Sequence, residues 1–116
     1  MLLWILRMLQ MPLMQKALAE MIGTFAMIFA GGGIIVLSEK YPNVIHAYFI
    51  PVTWGLVICA MIFAMGKISG AHFNPAVTLA FAATKHIPVS QVPVYWLSQC
   101  AGGLTAASLL IVLRKI

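Results

Sequence analysis

The stretch that decides the fold is SGAHFNPAVTLA, which covers residues 69–80. It follows a long apolar run, yet it brings the polar side chains of Ser69, His72 and Asn74 close together along the chain. Asn74 is a favourable N-cap residue, and Pro75 suits the first helical position, where its missing N–H group is not needed. The sequence therefore predicts that a helix begins at Pro75, directly after a polar turn.

The composition identifies the solvent around this turn. The chain has 116 residues, of which 63% are hydrophobic and 8% are charged. Soluble domains carry about a quarter of their residues charged, so this chain cannot cover itself with a wettable surface. It is predicted to be a membrane protein. Its net charge of +5 comes from scattered basic residues without a basic block, which favours anchoring at a lipid bilayer over binding of nucleic acid.

The sequence contains no recognisable metal or catalytic constellation. Cys59 and Cys100 stand far apart inside apolar stretches, which favours small buried hydrophobic residues over a disulfide or a metal pair. No cofactor and no metal are therefore expected, and the sequence does not favour an enzyme.

Three apolar segments each approach the ~20 residues that cross a ~30 Å hydrocarbon core as a helix. They cover residues 17–37, 47–66 and 91–113. The polar connection SEKYPN at residues 38–43 predicts that the first two spans are antiparallel neighbours. Small residues recur in all three segments, and they predict close contacts between the helices.

The apolar segment at residues 75–84 is too short to span, because about 10 helical residues measure ~15 Å. Its only polar side chain before the last residue is Thr78, whereas a helix on the membrane surface needs a face rich in lysine and arginine. We therefore expect a re-entrant half-helix, with a surface amphipathic helix as the alternative. Residues 70–73 should approach it in extended form and turn their carbonyl groups towards water. The predicted fold is an all-α membrane protein with three transmembrane helices, one re-entrant half-helix and half of a pore.

Three motifs carry a resemblance to a known family. HFNPAVTLA at residues 72–80 resembles the signature of the major intrinsic proteins, the aquaporin and aquaglyceroporin family. AEMIGTF at residues 19–25 resembles the family's first-helix motif, and SQCAGG at residues 98–103 resembles its third-helix glutamine followed by small residues. Because the motifs occur in the family's order over roughly residues 16–113, the chain is identified as a member of this family.

The resemblance implies two inverted repeats around one pore, with six spanning helices and two half-helices in all. Residues 16–116 correspond to one such repeat, and residues 1–15 are expected to form an apolar interfacial segment. The second Asn-Pro-Ala loop and the arginine that follows it have no counterpart in these 116 residues. We therefore expect a truncated half that needs a second repeat. Because the family is tetrameric, other family subunits are further expected partners.

The resemblance also implies roles for single residues. Asn74 would offer its side-chain N–H groups to permeating molecules at the channel centre, or act only as an N-cap. Glu20 would accept hydrogen bonds from the re-entrant loop, or snorkel to the membrane interface. His72 would lie beside the pore or pack within the loop. Pro75 and Ala76 would fix the turn and pack against the second repeat.

Trp54 occupies the position of the family's aromatic constriction residue, and a tryptophan there resembles the plant nodulin-like intrinsic proteins. That branch implies passage of small uncharged solutes such as glycerol, water or metalloid acids. The alternative for Trp54 is an aromatic anchor that faces lipid. The remaining predicted pore residues are Met27 and Ile58 on the spans and Gly70, Ala71 and Phe73 in the loop.

Two functional classes remain open at this point. The chain is either half of a channel for passive transport, or a non-conducting membrane fragment that associates with full-length channels. In both cases it is expected in a membrane as a multi-pass protein, with the plasma membrane as the expected location.

Overall fold

The structure, a computed structural model, describes residues 2–3, 6 and 10–116. From Leu13 onward the chain forms four α-helices and, among the described residues, no β-strand. The helices are α1 (Leu13–Lys40), α2 (Phe49–Ser69), α3 (Pro75–Ala83) and α4 (Val92–Lys115), with a 3₁₀ turn at Val89–Gln91 before α4. The three long helices are long and apolar enough to cross a membrane. The all-α membrane fold predicted from the sequence is confirmed.

Each spanning helix ends two or three residues after its predicted apolar segment, and the ends of α1 and α2 have local causes. α1 continues through part of the predicted polar connection and stops at Tyr41, which has φ −129° and ψ 61°. Tyr41 precedes Pro42, and the residue before a proline is disfavoured in helical conformation. α2 ends at Ser69, and the next residue, Gly70, has the left-handed conformation common after a helix, with φ 92°. The interfacial segment predicted for residues 1–15 lies partly outside the described residues and stays a prediction.

α1 lies between the other two long helices and runs parallel to α4. Near the start of α1, Glu20 accepts a hydrogen bond from Gln99 of α4. Near the end of α1, Gly32 lies against Leu110 of α4. The two helices approach closely at Gly102, where an added Cβ atom would collide with the backbone carbonyl of Met21 in α1. Glycine is therefore required at this crossing, as expected for helices that associate by close packing in lipid.

α2 runs antiparallel to α1, as the connection between them predicted. Ser69 at the end of α2 donates to Glu20 near the start of α1, while Trp54 near the start of α2 lies against Gly31. A Cβ atom at Gly31 would overlap the indole ring. The absence of a side chain there lets Trp54 lie directly on the backbone of α1.

α3 returns towards the end of the bundle at which α4 begins. At its start the carbonyl oxygen of Pro75 accepts a hydrogen bond from Trp96 Nε1 at 3.0 Å. At its end Ala82 packs with Ile87 and Val92. The contacts on α4 move towards its first residue as α3 proceeds, so the two helices are antiparallel. With 9 residues α3 is a half-helix. The chain comes to it from the end of the bundle where α2 ends and returns to that same end, where α4 begins, which confirms the re-entrant prediction.

The Gly102 crossing predicts that Gly102→Leu weakens the packing of α1 on α4. We expect the free energy of unfolding to fall by about 1–3 kcal/mol, because overpacking forces the helices apart. It is measured by titrating SDS into detergent micelles and following circular dichroism. Gly55→Leu is the matched control, since no atom of the described residues lies within 4 Å of a Cβ atom at Gly55. Equal stability of the two variants would contradict this role for Gly102.

Candidate pore loop and its buried anchor

The segment between α2 and α3 does not approach the half-helix in extended form. Gly70, Ala71 and Phe73 have positive φ values of 92°, 53° and 49°, whereas Asn74 has an extended conformation, with φ −154° and ψ 128°. The prediction of an extended approach is wrong for these three residues. Left-handed conformations cost about 1–3 kcal/mol each in non-glycine residues and persist only where the surroundings fix them.

The group that fixes this loop is the carboxylate of Glu20, whose side chain is 0% exposed. Oε1 accepts hydrogen bonds from the Ser69 hydroxyl at 2.6 Å and from the His72 backbone N–H at 2.9 Å. Oε2 accepts from the Phe73 backbone N–H at 2.7 Å and from Gln99 Nε2 at 2.8 Å. A carboxylate has about four acceptor positions, so these donors satisfy it. Glu20 is therefore buried in the protein and does not snorkel.

The left-handed residues explain how the loop reaches this carboxylate. Two successive backbone N–H groups, those of His72 and Phe73, converge on the two oxygens of Glu20. Converging N–H groups of this kind form a concavity that binds an anion, and hydrogen bonds to an ionised acceptor are stronger than neutral ones. The charge on Glu20 thus offsets the strain at Ala71 and Phe73.

A second layer of polar groups ties α3 to α4. Gln99 Nε2 also donates to Thr78 Oγ1 at 2.9 Å, and Thr78 Oγ1 donates to the Asn74 carbonyl at 3.1 Å. His72 Nδ1 lies 3.1 Å from Thr78 Oγ1. The hydroxyl has one proton, so His72 Nδ1 carries the proton in this contact if Thr78 donates to Asn74, and accepts it if Thr78 donates to His72. Across the cluster, the Tyr95 hydroxyl donates to the Ser69 carbonyl at 2.7 Å.

Asn74 uses its two kinds of side-chain atom differently. Oδ1 accepts the backbone N–H of Ala76 at 2.8 Å and caps α3. The side-chain N–H groups make no hydrogen bond within the described chain, and the side chain is exposed. Pro75, Ala76 and Val77 are exposed as well. The first turn of α3 is therefore an uncovered tip with free hydrogen-bond donors, which we call the Asn74 tip.

The predicted pore residues of the loop fall into two groups. Gly70 and Ala71 are partly exposed, whereas His72 and Phe73 are each 4% exposed. The Phe73 ring lies against Gly23 of α1, so only the backbone of Phe73 is available to line a pore.

The His72 ring lies among aromatic rings. It stacks on Phe81 at a centroid distance of 4.6 Å and lies 5.0 Å from Tyr95. This packing favours the reading of His72 as a buried loop residue.

The remaining predicted pore residues lie on the spanning helices. Trp54, Ile58 and Met27 are all partly buried. Trp54 contacts α1 through Gly31, so it does not face lipid alone. Ile58 follows Trp54 by one helical turn and lies on the same face of α2. Their position in a pore stays a prediction.

Four residues that form hydrogen bonds around Glu20 and the loop were absent from the predicted site. These residues are Ser69, Thr78, Tyr95 and Gln99. The sequence offers a signal for three of them, because Ser69, Gln99 and Thr78 are polar residues at membrane depth and need partners there. Tyr95 gave no such signal, since a tyrosine near a helix start also suits the membrane interface.

The anchoring of the loop predicts a large effect for Glu20→Gln. An amide places two donors where the loop already supplies donors, and the buried groups left unpaired cost about 1–3 kcal/mol each. We expect the free energy of unfolding in detergent micelles to fall by at least that amount. Glu39→Gln is the control, because Glu39 is the other acidic residue of the chain and forms an exposed ion pair with Arg114. Glu20→Gln being no worse than Glu39→Gln would refute the anchor.

Sequence comparisons agree with this geometry. The sequence model of the Major intrinsic protein family matches residues 7–115. The chain is 46% identical over 99 residues to nodulin-26 of Glycine max, in a match that covers 85% of this chain and 36% of that protein.

Two aquaporins show similar matches. Aquaporin NIP3-1 of Arabidopsis thaliana is 48% identical over 96 residues, covering 83% of this chain and 30% of that protein. Aquaporin NIP1-1 of Oryza sativa subsp. japonica is 44% identical over 99 residues, covering 85% and 35%.

The matched part therefore spans between 30% and 36% of the length of these three relatives. In this chain itself, the family match covers residues 7–115, and the helices extend over most of that range. The chain belongs to the major intrinsic protein family and is similar to its plant nodulin-26-like members.

Proposed function

We propose that this chain is half of a membrane channel for passive transport of small uncharged solutes, such as glycerol, water or metalloid acids. The observation that carries the proposal is the Asn74 tip, which offers free amide donors while Glu20 holds the loop behind it. Unpaired polar groups facing hydrocarbon are costly. At half-membrane depth such a tip is stable where it faces a water-filled lumen.

The chemistry of the loop suits neutral solutes with hydroxyl groups. The Asn74 amide donates to a solute oxygen, and the positive end of the α3 dipole disfavours cations at the same place. The carbonyl oxygens of residues 70–73 accept no hydrogen bond within the described chain, which supports a position facing water. Trp54 supplies an apolar wall with one N–H donor.

A second repeat completes this channel in our proposal. Pro75 and Ala76 are exposed at the Asn74 tip, where an inverted repeat would meet the first near the membrane midplane. The partner is a second half-channel repeat or another family subunit. The plasma membrane is the location that we predict.

The alternative is a non-conducting fragment that associates with full-length channels. The same exposed tip supports it, because Pro75 and Ala76 are accessible to another membrane protein. The two functions differ in solute flux. Liposomes containing this chain together with the unmatched part of nodulin-26 should take up glycerol under the first, and liposomes with the chain alone should not. Absence of flux with both parts assembled would favour the alternative.

The amide donors of Asn74 can be tested separately from its cap. Asn74→Asp keeps the capping oxygen but removes both N–H donors and adds a negative charge. We expect glycerol flux through the assembled halves to fall on the order of tenfold, which corresponds to the loss of one hydrogen bond. Flux is measured by stopped-flow light scattering at equal protein content. Asn43→Asp in the exposed connection is the control, and equal flux in both variants would contradict the role of Asn74.

A further inference from the structure

An apolar groove lies between the last turns of α1 and α4, away from the pore loop. Its volume is about 270 Å³. Its apolar lining consists of Phe29, Gly33, Val36, Leu37, Leu110 and Leu113. The groove leaves space beside Gly33, because an added Cβ atom there would meet, among the described residues, only Leu110, at an ordinary contact distance of 3.6 Å.

The groove ends in a cluster of charged groups at the helix ends. A neighbouring pocket shares Val36 and Lys40 with the groove and is also lined by Glu39, Arg114 and Lys115. Arg114 and Glu39 pair at 3.1 Å, so the cations of this pocket that remain for an anionic group are Lys40 and Lys115. The negative ends of two helix dipoles lie here too, each equivalent to about half a charge.

The α1 side of the groove is about as long as one leaflet of a bilayer, whereas its α4 side is formed by Leu110 and Leu113 alone. From Lys40 back to Phe29 the helix rises about 16 Å at 1.5 Å per residue, which is close to half of a ~30 Å hydrocarbon core. An apolar groove of this length, with cations at the end nearest the membrane surface, fits an acyl chain joined to an anionic headgroup.

We propose that the groove binds one phospholipid from the leaflet on this side, which we call the α1/α4 lipid site. One acyl chain lies along the groove beside Gly33, and the headgroup phosphate contacts Lys40 and Lys115. Lysine ammonium groups bind phosphate as point charges. The bound lipid fills the space beside Gly33, between two parallel helices that also contact each other at Gly102 and at Gly32. This proposal does not depend on solute conduction.

The headgroup contact is tested by native mass spectrometry of the purified chain in detergent, titrated with phosphatidylglycerol. We expect one strongly bound lipid per chain, and weaker binding of a diacylglycerol with the same acyl chains but no phosphate. The double variant Lys40→Gln/Lys115→Gln should lose affinity by roughly tenfold or more. Lys67→Gln/Lys85→Gln removes the same charge from exposed sites at the other end of the bundle and should bind as the unmodified chain does.

The acyl-chain contact is tested by filling the groove. Gly33→Phe should abolish the strongly bound lipid and its stabilisation of the chain against heat, whereas Gly55→Phe, at an open position, should leave both unchanged. Equal binding by the two lysine variants, equal binding of diacylglycerol, or retained binding in Gly33→Phe would overturn the proposal. A dimer without bound lipid that disappears in Gly33→Phe would assign the groove to a second copy and also overturn it.

Discussion

The structure depends on one constraint, which is that an acidic side chain inside a membrane protein needs a full set of partners. Removing an ionised carboxylate from water costs several kcal/mol even after relaxation. Glu20 meets this cost with four donors from three parts of the chain, which are the end of α2, the loop and α4. The carboxylate thereby determines where the loop runs and where α3 begins. The position of the Asn74 tip follows from an acid on a different helix.

Glycine residues allow the close contacts between helices and loop that this arrangement needs. Gly23 receives the ring of Phe73, Gly31 receives the indole of Trp54, and Gly102 allows the backbones of α1 and α4 to approach closely. In lipid no hydrophobic force drives helices together, so close contact supplies the packing energy. The glycines of α1 thus form the surface on which the loop aromatic and the α2 aromatic rest.

The sequence predicted the helices well and the loop poorly, for a physical reason. Apolar length determines a spanning helix, and the Asn74–Pro75 pair determines where α3 begins, so both are visible locally. The left-handed conformations of Ala71 and Phe73 are not encoded by residue type, because alanine and phenylalanine ordinarily avoid them. They arise from the distant carboxylate of Glu20. The resemblance to a family suggested that bond, but no pattern within residues 70–73 did.

The most direct test of this account is hydrogen exchange at the backbone amides of His72 and Phe73, measured by NMR or mass spectrometry in lipid nanodiscs. Both amides donate to the buried carboxylate of Glu20. The account predicts slow exchange in the unmodified chain and fast exchange in Glu20→Gln, while the amides in the middle of α2 stay protected in both. If both amides already exchange in the unmodified chain as fast as those of the exposed connection between α1 and α2, Glu20 does not hold the loop.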